Sequence, residues 1–140
     1  MNNDLPRGIR NNNPGNIKHS TRYLWQGELL PPDGEYCRFD TSHNGLRAFG
    51  KNLHSYYTTD NCKSLTQIIN RHAPDTENNT AAYISDVSDT LHVIPDTSYN
   101  LTDTDKTLQL IKAMIKHENG YDPYTDDEIY LALLDTGFYS

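Results

Sequence analysis

The stretch Lys106–Gly120, KTLQLIKAMIKHENG, largely decides the fold that this sequence predicts. Its apolar residues recur at three- and four-residue spacing, which is the period of an amphipathic helix. Gly120 is placed to cap this helix, because glycine readily adopts the left-handed conformation in which many helices end. We therefore expect Glu118 to face the interior or a cleft wall, since it shares one side of the helix with three apolar residues. These residues precede it by seven, four and three positions: Ile111, Met114 and Ile115.

The rest of the chain predicts four further helices and one small β-hairpin. The helices are indicated by apolar periodicity and by two capping boxes, Ser64 with Gln67 and Thr125 with Glu128. They are expected from Ser42 through Tyr56, in SLTQIINRH, from Thr80 through Val87 and in TDDEIYLALLD. The hairpin is expected from YLWQGEL and EYCRF, which the turn-forming cluster LPPDG separates, and RGIRNNNPGNI is expected to be a loop. The predicted class is α+β, mainly α, with about five helices.

Length and charge limit the classes of function. The 140 residues predict one domain, residues 1–140, and no apolar run reaches the length of a membrane span. The net charge of −7 argues against nucleic acid or an anionic membrane as the general partner. The cations Arg7, Arg10, Lys18 and Arg22 still crowd the N-terminal segment and could form a local basic cleft.

The cysteines and histidines predict neither a disulfide framework nor a metal centre. Cys37 and Cys62 are expected to be free thiols, with a single disulfide as the alternative. No two of the six histidines have the spacing of a zinc-binding helix, and no cysteine pair accompanies them, so no metal and no cofactor is expected. The sequence also has no nucleophile elbow and no glycine-rich phosphate loop.

Carboxylates remain as candidate catalytic groups. A glycosidase needs an acid that protonates the leaving oxygen, and an apolar pocket can keep such an acid protonated. Glu118 fits this description, although a buried or capping glutamate would show the same pattern. Glu77 precedes a predicted helix, where the helix dipole suits a base or a substrate-orienting group as well as a simple helix-end carboxylate. Glu28 and Glu35 of the hairpin could supply a second carboxylate or could merely be exposed.

Several segments, in order and across nearly the whole chain, resemble a family of small bacteriophage-encoded muralytic proteins, often described as virion proteins. They are RGIRNNNPGNI, Trp25-Gln26-Gly27, FDTSHNGLRAFGKNL, IINRHAPDTENNTAAYISDV and AMIKHENG. More distantly, the sequence is similar to glucosaminidases of glycoside hydrolase family 73 and to lytic transglycosylases. In the glucosaminidases the glutamate helix precedes the Asn-Asn segment and the Trp-x-Gly hairpin, whereas AMIKHENG lies at the C-terminal end here. The resemblance therefore implies a lysozyme-like fold with a circularly permuted order.

The resemblance implies roles for Glu118 and Tyr83. Glu118 corresponds to the catalytic acid, although Asn119 stands where the family has serine. Tyr83 resembles the cleft tyrosine of the glucosaminidases. The residues expected to bind substrate are Glu77, Tyr83, Asn13, Asn16 and Trp25, and the alternative for Trp25, as for Phe39, is core packing under the hairpin.

The expected activity is cleavage of the β-1,4 MurNAc–GlcNAc linkage in peptidoglycan, by a lytic transglycosylase or a muramidase. A non-catalytic virion or wall-binding module of the same fold is the alternative, and cleavage of the peptide crosslink is a third possibility. The N-terminus has no apolar signal segment, so we expect synthesis in the cytoplasm and delivery to the periplasm or wall by a virion, a holin or a secretion system. The expected protein is a monomer whose further partners could be a virion, a secretion machine or an inhibitor.

Overall fold

The computed structural model describes residues 4–76 and 78–140. This part of the chain contains six helices and one two-stranded antiparallel sheet. The elements are α1 (Arg7–Arg10), β1 (Glu28–Asp33), β2 (Tyr36–Phe39), α2 (Ser42–Thr58), α3 (Leu65–His72), α4 (Thr80–Leu91), α5 (Thr104–Asn119) and α6 (Asp126–Asp135). The predicted class, α+β and mainly helical, is thereby confirmed.

The buried apolar side chains form one cluster that draws on the hairpin and on all the long helices. Helix α2 packs against α6, and α4 packs against both α3 and α5. Ile111, Met114 and Ile115 are fully buried, as the spacing in the opening stretch predicts. Helix α5 therefore lies at the centre of the fold. The N-terminal segment crosses the last turn of α5 and contacts it.

Two local predictions were wrong. The N-terminal segment expected to be a loop contains α1, a helix too short for apolar periodicity to reveal, which begins after Pro6 with a favourable φ of −53°. Strand β1 starts at Glu28 and continues through the prolines that were expected to form the turn. The pairing of β1 with β2 is irregular between Leu29 and Asp33, so these prolines need not donate to a regular ladder.

The two cysteines are free thiols, and the aromatic residues Trp25 and Phe39 pack against or within the core. Cys37 is a buried free thiol and Cys62 is a half-buried one, so the expectation of free thiols is confirmed. Phe39 lies in the core at 3% exposure, and Trp25 packs against the core from a partly buried position. No helix among the described residues is long and apolar enough to cross a membrane.

Helix ends are fixed by side-chain caps. At α6 the Thr125 side chain accepts a hydrogen bond from the Glu128 amide while the Glu128 side chain accepts one from the Thr125 amide, which confirms that capping box. At α3 only half of the predicted box forms. Ser64 accepts from the Gln67 amide, but the Gln67 side chain accepts from Lys63 instead.

The capping box at α6 gives a stability prediction. We expect Thr125→Ala to lower the free energy of unfolding by about 1 kcal/mol, because the backbone N–H of Glu128 loses its side-chain acceptor. Urea denaturation followed by circular dichroism measures this change. An unchanged midpoint would show that water satisfies this amide equally well.

Candidate active site

Glu118 lies in the last turn of α5, just before the helix ends at Gly120 with a φ of +86°. Its side chain is only 12% exposed. The neighbouring Asn119 is buried and donates a hydrogen bond to the carbonyl oxygen of Pro14, at 2.9 Å. The end of α5 is thus tied to the N-terminal segment, which brings residues from opposite ends of the sequence together.

Asn16 holds the Glu118 carboxylate directly. Its Nδ2 donates to Oε2 of Glu118 at 2.6 Å, across 102 positions of sequence. Asn16 has a φ of +50°, a left-handed conformation that asparagine tolerates better than most residues. The turn at Asn16 therefore aims its amide at the carboxylate. Two of the residues that the sequence singled out, Glu118 and Asn16, are brought into contact.

His72, which sequence reasoning missed, lies on the other side of the carboxylate. Its Nε2 is 3.9 Å from Oε1 of Glu118 and donates to the Gly15 carbonyl oxygen at 2.9 Å. Its Nδ1 accepts from the Tyr56 hydroxyl at 3.1 Å, because a carbonyl partner requires the ring proton to be on Nε2. Burial lowers the pKa of His72, so the ring is neutral and contributes no full positive charge beside Glu118.

Tyr83 is buried close enough to Glu118 for the carboxylate to act on it. It is 2% exposed and stacks on the ring of His117 with centroids 4.0 Å apart. Burial and the nearby Glu118 carboxylate raise the pKa of Tyr83 well above its usual range, so its hydroxyl keeps its proton. Among the described residues this hydroxyl has no hydrogen-bond partner of good geometry. It is therefore available to a neighbouring carboxylate that shifts slightly.

Glu118 and Asn16 line a cavity of about 350 Å³. The hairpin contributes Tyr36 to the same cavity, so Glu118 and the hairpin share its wall. The wall is cationic and aromatic, although the whole chain carries a net charge of −7. Its other notable residues are Arg7, Lys18, Arg71, Tyr23 and Tyr56. Arg7 stacks over the Tyr36 ring at 3.6 Å, so this part of the basic N-terminal segment helps to form the wall.

Three predicted substrate-binding residues, Asn13, Trp25 and Tyr83, are not among the described residues that line the cavity. Asn13 is 1% exposed and its amide is committed to backbone groups of Ile17 and Cys37, so it shapes the loop rather than the cavity surface. Trp25 packs against the core and against Tyr23, and it does not line the described cavity wall. The prediction for Glu77 falls outside the residues that the structure describes.

The hairpin glutamates do not reach Glu118. The Glu28 side chain is completely buried and lies 2.7 Å from Nδ1 of His19. Glu35 is exposed and pairs with Lys18 at 3.6 Å. Among the described residues that line the cavity, Glu118 is the only carboxylate.

The neutral state of His72 gives a pH prediction. Because folding lowers the pKa of this group from 6.5, the unfolded state binds more protons, so the stability it supports is complete above 6.5 and falls as the pH drops below that value. We expect a loss of up to about 1.4 kcal/mol per pH unit from this group. His72→Gln, whose amide can serve both hydrogen-bond partners, should show a shallower decline between about pH 7 and pH 5. Urea unfolding at several pH values measures both slopes, and equal slopes would contradict the prediction.

Comparison with known proteins places the chain in a family. No protein-family model matches it. It is 38% identical over 141 aligned positions to protein P5 of Pseudoalteromonas phage PM2, and the alignment covers 98% of this chain and 85% of P5. The chain therefore belongs to the family of protein P5, which includes a phage protein.

Proposed function

We propose that this protein cleaves the glycan strand of peptidoglycan at the β-1,4 linkage between MurNAc and GlcNAc, with Glu118 as general acid and base. The observation that carries the proposal is the placement of Glu118 at the wall of a 350 Å³ cavity, fixed by Asn16 at 2.6 Å. A single oriented carboxylate in a cleft is the minimum that acid catalysis of glycoside cleavage requires. The resemblance of AMIKHENG to the glutamate helix of lytic transglycosylases supports the same role.

The reaction would proceed in two proton transfers. Glu118 gives its proton to the glycosidic oxygen, and the bond between this oxygen and C1 of the muramoyl residue breaks with its electron pair leaving on the oxygen. The resulting carboxylate then takes the proton of the muramoyl 6-hydroxyl while that oxygen bonds to C1. The absence of a second carboxylate from the described cavity wall favours this transglycosylase course over hydrolysis, in which water would attack instead.

The surroundings of Glu118 suit a group that must exchange its proton. Asn16 donates to Oε2 and orients the carboxyl group, while the neutral ring of His72 lies 3.9 Å from Oε1 without adding a charge. Oε1 therefore has the greater freedom to face a substrate oxygen. The Tyr83 hydroxyl, protonated and without a partner among the described residues, could replace a lost contact when the carboxyl group moves.

The cavity wall suits an acidic saccharide. Arg7, Lys18 and Arg71 line it together with three tyrosines, whose faces offer apolar surface and whose hydroxyls offer hydrogen bonds. Peptidoglycan carries carboxylates on its stem peptides, whereas chitin has the same linkage without them. Cations that meet such carboxylates favour peptidoglycan over a neutral polymer. The net charge of −7 would otherwise oppose the approach to an acidic wall.

A non-catalytic virion or wall-binding module of the same fold is the second candidate. The membership of a phage protein in the family favours it, as does the acidic balance of the chain. Under either proposal the protein acts on the periplasmic or wall side, after delivery by a virion, a holin or a secretion system. An enzyme and a wall-binding module both contact the glycan strand, so binding alone does not separate them.

Product analysis separates these possibilities. We expect digestion of purified sacculi to release soluble fragments that end in 1,6-anhydromuramoyl residues, as identified by mass spectrometry. Reducing muramoyl ends would indicate a muramidase, and free stem peptides would show that the crosslink is cut instead. Binding to sacculi without soluble products would contradict the enzymatic proposal and favour the non-catalytic module. Chitin incubated in parallel should release less product.

A further inference from the structure

Three side chains of the kinds that bind transition metals converge at the hairpin, outside the cavity. His19 precedes the hairpin, Glu28 begins β1 and Cys37 lies in β2. Their ligand atoms all lie within 4.8 Å of one another. None of the three lines the cavity of Glu118, so a role for this cluster is independent of the proposed function.

The cluster is buried and partly oriented by its neighbours. The Glu28 side chain and Cys37 are completely buried, while the His19 side chain is 19% exposed. The backbone amide of Trp25 donates to Oε1 of Glu28 at 3.1 Å. This hydrogen bond occupies one carboxylate oxygen and leaves Oε2 turned toward Nδ1 of His19, at 2.7 Å. Such support of a ligating carboxylate is a regular feature of metal sites.

We propose that Nδ1 of His19, Oε2 of Glu28 and Sγ of Cys37 bind one zinc ion. Imidazole, carboxylate and thiolate are the three ligand types of protein zinc, at about 2.0–2.3 Å from the metal. Tetrahedral ligands at these distances lie about 3.3–3.8 Å apart, so the cluster needs only small adjustments. The bond between His19 and Glu28 lengthens, and the thiol comes closer. Three protein ligands leave the fourth position to water on the exposed side of His19.

The competing account is a hydrogen-bonded cluster without metal. Glu28 can accept from the Trp25 amide, from His19 and from the Cys37 thiol. Burial and the Glu28 charge raise the pKa of Cys37 to about 12, so the metal-free thiol is protonated. A divalent cation reverses this electrostatic balance and displaces the thiol proton. Zinc would then connect the segment before the hairpin with both strands and stabilise the fold.

Metal titration distinguishes the two accounts. The untagged full-length protein is stripped with a chelator, dialysed and titrated with Co²⁺ as a spectroscopic probe for zinc. We expect one equivalent to bind with a thiolate-to-cobalt charge-transfer band, and one zinc per chain by elemental analysis after loading. Zinc should also raise the melting temperature by about 5 °C or more, because it binds only the folded state.

Variants locate the site. His19→Gln and Cys37→Ser should each lose the charge-transfer band and the thermal shift, while Cys62→Ser, which removes the other thiol, should keep both. Circular dichroism checks that each variant is folded. His19→Gln keeps the test decisive if the buried Cys37→Ser variant does not fold. No band and no zinc in the wild-type protein, or a band lost only in Cys62→Ser, would overturn the proposal.

Discussion

Glu118→Gln is expected to reduce the release of soluble fragments from sacculi by about 10²–10⁴-fold. The amide cannot donate a proton to the glycosidic oxygen as a carboxylic acid does. Its oxygen can still accept the hydrogen bond from Asn16, so the fold and the cavity should persist. Release of soluble muropeptides measures activity, and thermal melting measures folding.

Glu35→Gln is the matched control. Glu35 is an exposed glutamate of the hairpin that pairs with Lys18, and it undergoes the same chemical change without touching Glu118. Its activity should remain within a few-fold of wild type. Binding to sacculi should persist in Glu118→Gln, since the cationic wall is intact. Full activity of Glu118→Gln would exclude Glu118 as the acid. If Glu118→Gln does not fold, Asn16→Ala tests the site instead, because it removes the hydrogen bond that orients the Glu118 carboxylate.

Periodicity predicted the long helices because each buries one apolar stripe. The stripe before Glu118 is buried as expected, and the left-handed Gly120 ends the helix. Helix α1 was not predicted, because its four residues make one turn and are too few to show an apolar period. The course of β1 was predicted wrongly because prolines indicate a turn locally. In the structure, the irregular pairing with β2 accommodates them within the strand.

The candidate site was only partly predictable, for a physical reason. Glu118 was predicted because it follows an apolar stripe on a helix. Asn16 was predicted because it belongs to the RGIRNNNPGNI segment of the resemblance. His72 showed no such signal, since it ends a short amphipathic helix and its role depends on the Gly15 carbonyl, 57 positions away. Asn13 belongs to the same motif as Asn16 but points into the loop, because its amide serves three backbone groups. A motif identifies a turn, and packing decides which of its side chains reaches the cavity.

Gly45→Ala is expected to have the largest effect on stability, a loss of about 3 kcal/mol or more in the free energy of unfolding. Gly45 lies within α2, where alanine would normally stabilise a helix by about 1 kcal/mol. A β-carbon at this position would overlap the backbone carbonyl oxygen of Asn12. Asn12 cannot easily retreat, because it has a φ of +52° and its side chain donates to the Phe39 carbonyl oxygen.

Thermal melting decides between propensity and packing. The packing argument predicts a fall of about 10 °C for Gly45→Ala, whereas propensity predicts a rise. Ser55→Ala, at an exposed position of the same helix, is the control and should be neutral or slightly stabilising. Because Asn12 and Asn16 share one loop, a displaced Asn12 should also disturb the hydrogen bond to Glu118. Activity should therefore fall together with stability in Gly45→Ala. A variant that melts at or above the wild-type temperature would contradict the packing argument and show that the loop of Asn12 can shift away from α2.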